Sequence, residues 1–443
     1  MGLLERLEQA KMVKAAYEKD VKLEEMVYYD QYESFKESIH GELVKNAGET
    51  EGQSLKELVT KLVEEKGEDI PKPTQRQLIE QIVDEAAGLG PLERLLKDDS
   101  ISEVMVNGPY SIYVERKGRL ELTDIKLRDD KHVLDLVNRI VTPIGRRCDE
   151  ASPMVDARLK DGSRVNAIIP PLALSGPTIT IRKFSKVPLR AENLIDFGSA
   201  SFGMLGFLDA CVKAKANIIV CGGTGSGKTT LLNILSGFIP EDERIVTIED
   251  SAELQLSQRH TITLESRPAN AEGSGRISIR DLVRNSLRMR PDRIIVGECR
   301  SGETLDMLQA LNTGHDGSMT TAHANSSRDL IARLETMVLM AGMELPVRAI
   351  REQIASAIDI IVNQSRLKDG SRKIVEISEV VGMEGEVVTL QTLYHFVIDG
   401  YDSAGKVMGK FQFTGIRPKV IGKMEDRGIH VRIPGSYRGA QYE

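Results

Sequence analysis

The chain has 443 residues and a formal net charge of -7, a length that calls for two or three domains because single cores stop growing before it. The acidic balance and the 4% aromatic content, with no tryptophan, exclude an overall basic field and base-stacking platforms, so no nucleic-acid partner is expected. Cys148, Cys211, Cys221 and Cys299 lie far apart with no C-x-x-C pair, which suggests neither a zinc site nor a disulfide framework and fits a reduced, cytoplasmic compartment.

The opening MGLLERLEQAK carries charge from its fifth residue and no apolar core of a leader; Arg6 stands where a myristoylation signal has Ser or Thr. No apolar run approaches the ~20 residues of a membrane span, so any work at a membrane is expected from its surface. Residues 1–75 form a charged appendage with helical spacing in LKELVTKLVEEKGEDI (55–70), broken by Pro71 and Pro73. A solvated helical arm is the reading here, with a partner-binding module as the sharper alternative.

Residues 76–186 change character. A helical RQLIEQIVDEAAG precedes ISEVMVNGPYSIYVERKGRLEL, where alternating β-branched residues flank a Lys117-Gly118 turn. The helix HVLDLVNRIVTPIG follows, then ARLKDGSRVNAIIPPL and TITIRKF, giving an α+β domain with a mostly antiparallel sheet. The heptapeptide RLKDGSR occurs at 158–164 and again at 366–372. Its flanks differ, so one Asp-Gly hairpin solution used twice is expected rather than a duplication.

Residues 187–200 read as a linker into a second domain, 201–443. There NIIVCG, RIVTIED, RIIVGEC and SMTTAH alternate with helices, the rhythm of a parallel sheet covered on both faces. Ser326 and Ser327 cap the helix RDLIARLETMVLMAG, which Gly342 ends, and AIREQIASAIDIIV is a further amphipathic helix. The final sixty or so residues read as strands and turns. The fold class is thus α/β, a phosphate-loop domain preceded by an α+β domain and a helical appendage.

The phosphate loop is residues 222–229, GGTGSGKT, which fit G-x-x-x-x-G-K-[ST] between an apolar strand and a helix. Gly222, Gly223, Thr224, Gly225, Ser226 and Gly227 let backbone N–H groups turn toward phosphate oxygens, and the helix start adds its dipole. Lys228 reaches the β and γ phosphates, Thr229 offers its hydroxyl to Mg²⁺, and Thr230 follows, so ATP and Mg²⁺ are the expected cofactors. A glycine-rich turn without ligand is the bland alternative.

Hydrolysis also needs carboxylates for the metal and the water. Glu298 ends the strand RIIVGE, and Glu249, Asp250 and Glu253 cluster in IEDSAEL, both at strand ends where ligands bind in open α/β sheets. Spacing does not choose the base between Glu249 and Glu298; solvated loop carboxylates, or a helix cap for Asp250, are the competing readings. His315 and His323 flank SMTTA. No third metal ligand accompanies them, so a hydrogen-bonding sensor is preferred, with ordinary structural histidines as the competitor. Arg280, Arg284 and Arg288 stand four apart on a helix face that could equally be solvated. Arg158, Arg164 and Arg182 lie in the first domain, placed to meet transition-state charge.

With these motifs in order, the chain resembles the secretion ATPases of type II and type IV systems, most closely the CpaF/TadA branch of tight-adherence (Flp) pilus assembly. LGPLERLL (89–96), ISEVMVNGP (101–109), MVDARLKDGSRVNAIIPPLALSGPTITIRKF (154–184) and the run 221–342 carry it, over roughly residues 80 to 390. The resemblance implies a RecA-like ATPase domain with a Walker A loop, an Asp box at IEDSAEL, a Walker B segment at RIIVGE and a His box at GHDGSMTTAH. It implies a homo-hexameric ring at the inner face of the cytoplasmic membrane, with membrane platform proteins as partners. By matching motif, Arg158 and Arg182 act on the nucleotide, Arg164 less surely; Glu249, Glu298 and His323 are catalytic; Thr229, Asp250 and Glu298 attend Mg²⁺. Cys299 stands where the family has an aliphatic residue, and the tetracysteine zinc element of some members is missing, so no zinc is expected. A type IV secretion ATPase moving protein or DNA, and a nucleotide-gated scaffold without turnover, are the alternatives. A DNA-acting enzyme is disfavoured by charge and aromatic content.

Overall fold

The computed structural model describes residues 32–46, 54–116, 118–184, 188–269 and 274–431. Residues 1–31 and 47–53 of the expected appendage, Lys117 of the expected turn, 185–186 at the end of the expected first domain and 187 of the expected linker lie outside them. The chain divides into two compact units, Met1–Pro143 with Ala167–Ile181, and Ile144–Asn166 with Arg182–Glu443.

The first unit begins with helices α1 (Glu33–Asn46), α2 (Leu55–Lys66) and α3 (Lys72–Ala87). Ser54 starts α2 through a capping box, its hydroxyl accepting from the Glu57 N–H at 3.3 Å while Glu57 Oε2 accepts from the Ser54 N–H at 3.0 Å. Ile39, Val59, Leu62, Val63, Leu78, Ile79 and Ile82 bury into one cluster, each contributing about 1.5–3 kcal/mol of burial. The described part of the appendage is therefore a small packed bundle. Pro71 and Pro73 start α3 rather than merely stopping the preceding helix, since proline's missing N–H costs nothing in a first turn.

After α4 (Glu93–Lys97), strands β1 (Ile101–Asn107), β2 (Ile112–Arg116) and β3 (Arg119–Leu122) pair antiparallel in succession. Helix α5 (Asp130–Val141) follows, capped by Asp129, whose carboxylate accepts from the His132 N–H at 2.7 Å. Strands β4 (Met154–Arg158), β5 (Arg164–Ile168) and β6 (Thr178–Arg182) complete this stretch, with β6 beside β1.

The second unit continues with α6 (Ala191–Asp196), a short helix inside the expected linker, and α7 (Phe202–Lys213). Then come β7 (Ile218–Gly222), α8 (Lys228–Ser236), β8 (Ile245–Glu249), β9 (Thr261–Glu265), α9 (Ile279–Ser286), β10 (Arg293–Cys299), α10 (Glu303–Asn312), β11 (Met319–His323), α11 (Ser327–Leu339) and α12 (Val347–Ala357). Strands β12 (Ile360–Arg366), β13 (Arg372–Glu384), β14 (Val387–Tyr401), β15 (Val407–Phe413) and the short α13 (Ile421–Glu425) finish the described chain. The sheet order is β15-β14-β13-β12-β7-β11-β10-β8-β9. From β12 to β9 neighbours run parallel; β13, β14 and β15 add an antiparallel extension to the expected parallel sheet.

The central strands read as unbroken apolar runs because both faces are covered. Ile218 and Val220 face a core with Phe207, Leu208, Leu231 and Leu235. Ile219 and Cys221 face the opposite one, with Leu308, Leu334, Ile350 and Ile354. β11 lies between the loop-bearing β7 and the acid-bearing β10. Register then sets His323 against Gly222 and brings Glu298 and Glu249 to the same carboxyl edge.

Candidate active site

The loop 222–229 connects β7 to α8, and its conformation explains its glycines. Gly225 and Gly227 hold φ of 70° and 96°, left-handed values that side chains resist. A Cβ on Gly222 would sit 2.1 Å from the Gln364 carbonyl oxygen of β12. The Ser226 hydroxyl donates to the Gly223 carbonyl at 2.9 Å, and the Lys228 ammonium donates to the same oxygen at 3.0 Å. Lys228 is buried, and burial holds its ammonium below the usual value, with Glu298 opposing that shift.

A cavity of about 430 Å³ opens over this loop. Thr224, Gly225, Gly227, Lys228, Thr229 and Thr230 line it from the loop, and Glu249, Asp250, Glu298 and His323 from strand ends. Gly222, Gly223 and Ser226 support the loop without lining the cavity.

Glu298 and His323 form the centre of the acidic wall. His323 Nδ1 lies 3.4 Å from Lys228 Nζ, and its Nε2 lies 3.0 Å from Glu298 Oε1. Burial first, then the Lys228 charge, hold the imidazole below its ordinary value, so it is neutral at pH 7. Glu298 Oε2 takes a 2.6 Å bond from Arg300, while Oε1 is buried and, although His323 Nε2 stands 3.0 Å away, is in hydrogen-bonding geometry with no group among the described residues. Glu303 fixes the turn beyond it by accepting from the Arg300 and Ser301 N–H groups at 2.6 and 2.8 Å.

Glu249 sits differently. It is buried, and its Oε2 accepts from the Glu253 and Leu254 N–H groups at 2.8 and 3.2 Å. Burial nevertheless pushes its carboxyl up to about 7. Gly297 is glycine because a Cβ there would stand 2.8 Å from Glu249 Cγ. Asp250 accepts from the Ser266 hydroxyl at 3.0 Å and is no helix cap.

All three candidate arginines of residues 158–182 belong to the second unit. Arg164 lines the cavity with its Nη1 2.6 Å from Glu253 Oε1, and Arg182 lines it 3.7 Å from the same oxygen. Arg158 does not line it. Its Nη2 is taken up by Glu265 at 2.7 Å, the Ser251 hydroxyl at 2.8 Å and the Ala252 carbonyl at 3.1 Å, bracing the Asp box from behind. Within this chain the cavity is therefore lined by Arg164 and Arg182 and not by Arg158.

His315 stands at the amino end of β11, across the sheet from His323, so the two cannot share a metal. Arg280 and Arg284 both bind Asp306 at 2.6 Å. The expected third member, Arg288, lies past the helix: α9 ends at Ser286 and turns toward Arg290, which precedes Pro291 at φ 53°. Cys299 is buried beside Thr320 and Met307, away from the cavity, and burial pushes its thiol up to about 12. Sequence reasoning missed Arg300, Asn233, Gln364 and Arg372. Arg300 was detectable as a cation two residues past Glu298, and Asn233 as a polar residue one turn beyond Thr229 on α8; Gln364 and Arg372 depend on which strands and turns meet the loop.

The residues present suit Mg²⁺ with a nucleotide. Thr229 and the unpartnered Glu298 Oε1 share the cavity, and Asp250 stands at its edge. Among the described residues no cluster of three or more His, Cys, Asp or Glu side chains could hold a metal by itself, so phosphate oxygens would have to supply further ligands.

A glycine-rich loop between strand and helix, facing acid-tipped parallel strands, defines a phosphate-loop protein of the α/β class. More narrowly, the family described as "Type II/IV secretion system protein" matches residues 85–384, and the chain belongs to it. The chain is 37% identical over 317 residues to a putative conjugal transfer protein of Mycobacterium tuberculosis, covering 70% of this chain and 89% of that protein. It is 32% identical over 320 residues to the type IV secretion system protein VirB11 of Brucella abortus, covering 66% and 88%. The crystal structure of the VirB11 ATPase from the Brucella suis type IV secretion system, in complex with sulphate, is 30% identical, covers 65% of this chain and 92% of that one, and superposes with a TM-score of 0.37. Among the described residues no helix is long and apolar enough to cross a membrane.

Proposed function

We propose that this chain hydrolyses Mg-ATP as a hexameric motor at the cytoplasmic face of a membrane, driving assembly of a pilus or a related secretion step. The observation that carries this is the buried, unpartnered Glu298 Oε1, held beside a neutral His323 and facing the phosphate loop. A protein that only bound nucleotide would gain nothing from leaving a carboxylate oxygen short of partners.

In this reading the loop N–H groups and the start of α8 hold the phosphates, and Lys228 exchanges the Gly223 carbonyl for a phosphate oxygen. Thr229 and Asp250, with Glu298, would hold Mg²⁺, which supplies charge neutralisation. Glu298 orients the water and takes its proton as the oxygen bonds to the γ phosphorus and the bond to the bridging oxygen breaks. His323, whose Nε2 already stands 3.0 Å from Oε1, would turn its N–H onto that carboxylate as the nucleotide draws Lys228 away, keeping it aimed. Arg164 and Arg182 meet the charge developing on the γ-phosphoryl oxygens. Glu249 suits a structural role instead, since its carboxylate is already committed to two backbone N–H groups.

Tight-adherence pilus assembly is the particular process favoured by the MVDARLKDGSRVNAIIPP stretch, with membrane platform proteins as partners and no nucleic acid. A second reading is transfer by a type IV secretion system, favoured by the similarity to VirB11 and to a conjugal transfer protein. Deleting the gene and scoring surface pili against conjugal transfer separates the two.

The test of the motor itself is Mg-ATP hydrolysis per chain as a function of protein concentration, beside Glu298→Gln. A specific rate that climbs as rings assemble and collapses in the variant supports it. A flat rate equal to the variant's, with ATP still bound, replaces it with a nucleotide-gated scaffold.

A further inference from the structure

The two RLKDGSR copies fold alike. Leu159 and Leu367 N–H groups donate to Ser163 and Ser371 carbonyls at 2.9 and 2.7 Å, and Gly162 and Gly370 close the turns at φ 92° and 83°. Asp161 and Asp369 each accept from the backbone and hydroxyl of the serine two residues on. The first copy ends in Arg164, on the acidic wall. The second, joining β12 to β13, ends in Arg372, whose Nε donates to the Gly225 carbonyl of the phosphate loop at 3.0 Å. Among the described residues its two Nη groups have no partner, and it does not line the cavity.

β12 touches the loop at two further points. The Gln364 carbonyl leaves no room for a side chain at Gly222, and the Gln364 amide and Arg372 Cδ lie 3.3–3.6 Å from where a Gly227 Cβ would be. Gln364 is 3% exposed, with its Oε1 unpartnered. The left-handed tip at Gly225 is thus held from outside by one cation.

We propose that Arg372 is a positioning residue for nucleotide binding, holding the phosphate loop in its binding shape through the Gly225 carbonyl. This rests on the reading of the loop as a nucleotide site. When a phosphate arrives, Lys228 must leave the Gly223 carbonyl, and the loop loses one of its internal braces. Arg372 approaches from outside the cavity and keeps its hold. The two hairpins then divide the work: Arg164 acts toward the transferring phosphoryl group, Arg372 on the loop that receives every phosphate.

The test measures binding of fluorescent ATP and ADP analogues, kcat and KM for the full chain carrying Arg372→Ala, Arg372→Lys and Arg366→Ala. One hydrogen bond from a charged donor predicts about tenfold weaker binding of both nucleotides in Arg372→Ala. KM should rise in step, kcat should stay within about twofold, and lysine should recover most of the loss. Arg366→Ala should match wild type, since Arg366 does not contact the loop. Binding indifferent to Arg372, a fall in kcat at constant KM, or a loss that lysine does not rescue and that tracks a fall in Tm would each overturn the proposal. A wild-type chain that binds neither nucleotide removes the nucleotide reading itself and this inference with it.

Discussion

The two ends of the parallel strands carry buried charge in opposite conditions. Where the strands begin, the buried charges are paired. Arg293 is fully buried, with Nε and Nη2 on Glu243 at 2.5 and 3.0 Å and Nη1 on the Gly317 carbonyl at 3.0 Å. Asn217 donates to Ala357 at 2.7 Å and accepts from the Gly317 and Ser318 N–H groups, while Asp359 takes the Asn217 N–H and Lys423. Where the strands end, Glu298 Oε1 has no hydrogen-bond partner, Glu249 is raised to about 7, and Lys228 is held below its usual value. A satisfied network ties strands together; a deficient one leaves valences for a ligand to fill.

If the amino end is structural, it should fail in stability. Arg293→Ala leaves Glu243 without its bidentate partner and should cost about 3–5 kcal/mol. Urea unfolding reads this, and a loss under about 1 kcal/mol would break the contrast. If the carboxyl end is functional, Glu298→Gln should lower kcat by roughly 10²–10³-fold with ATP binding retained. A stability loss equal to that of Arg293→Ala, with turnover intact, would reverse the assignment.

Smaller effects sharpen the picture. Gly297→Ala forces a methyl group against Glu249 and should cost about 1–3 kcal/mol, seen as a Tm lowered by several degrees. A further effect is expected in the pH response of Glu249→Gln. A carboxyl raised from 4.5 to about 7 by folding is an unfavourable charge once ionised, so wild-type stability falls as pH rises between those values. Glutamine abolishes that slope. The Tm of the variant relative to wild type should therefore be higher at pH 8 than at pH 5, and a difference of opposite sign would show that the two N–H donors outweigh burial.

Much of the site was legible because its chemistry is local. Glycines at fixed spacing, then Lys228 and Thr229 between an apolar strand and a helix, specify a phosphate loop wherever the sheet lies. Glu298 and Glu249 were readable as strand-end carboxylates for the same reason. The two differ only in three dimensions, where one glutamate is tied to two N–H groups and the other retains an oxygen without a hydrogen bond, which is why Glu298 is the base proposed above. Arg158 and Arg164 begin and end one heptapeptide, yet the first braces the Asp box from behind and the second faces the cavity. His315 and His323 separate only once β11 is placed between β7 and β10.

The twin heptapeptides show the same division at its simplest. Asp-Gly-Ser at fixed spacing dictates the turn in both copies, because Asp accepts from the serine two residues on and glycine takes the left-handed position. That much the sequence determined by itself, along with the phosphate loop and the strand-end acids. Which surface each terminal arginine meets was decided by the tertiary structure alone. The contacts between Arg372 and Gly225, and between Arg164 and Glu253, span 147 and 89 residues and exist only after the sheet order and register bring those segments together.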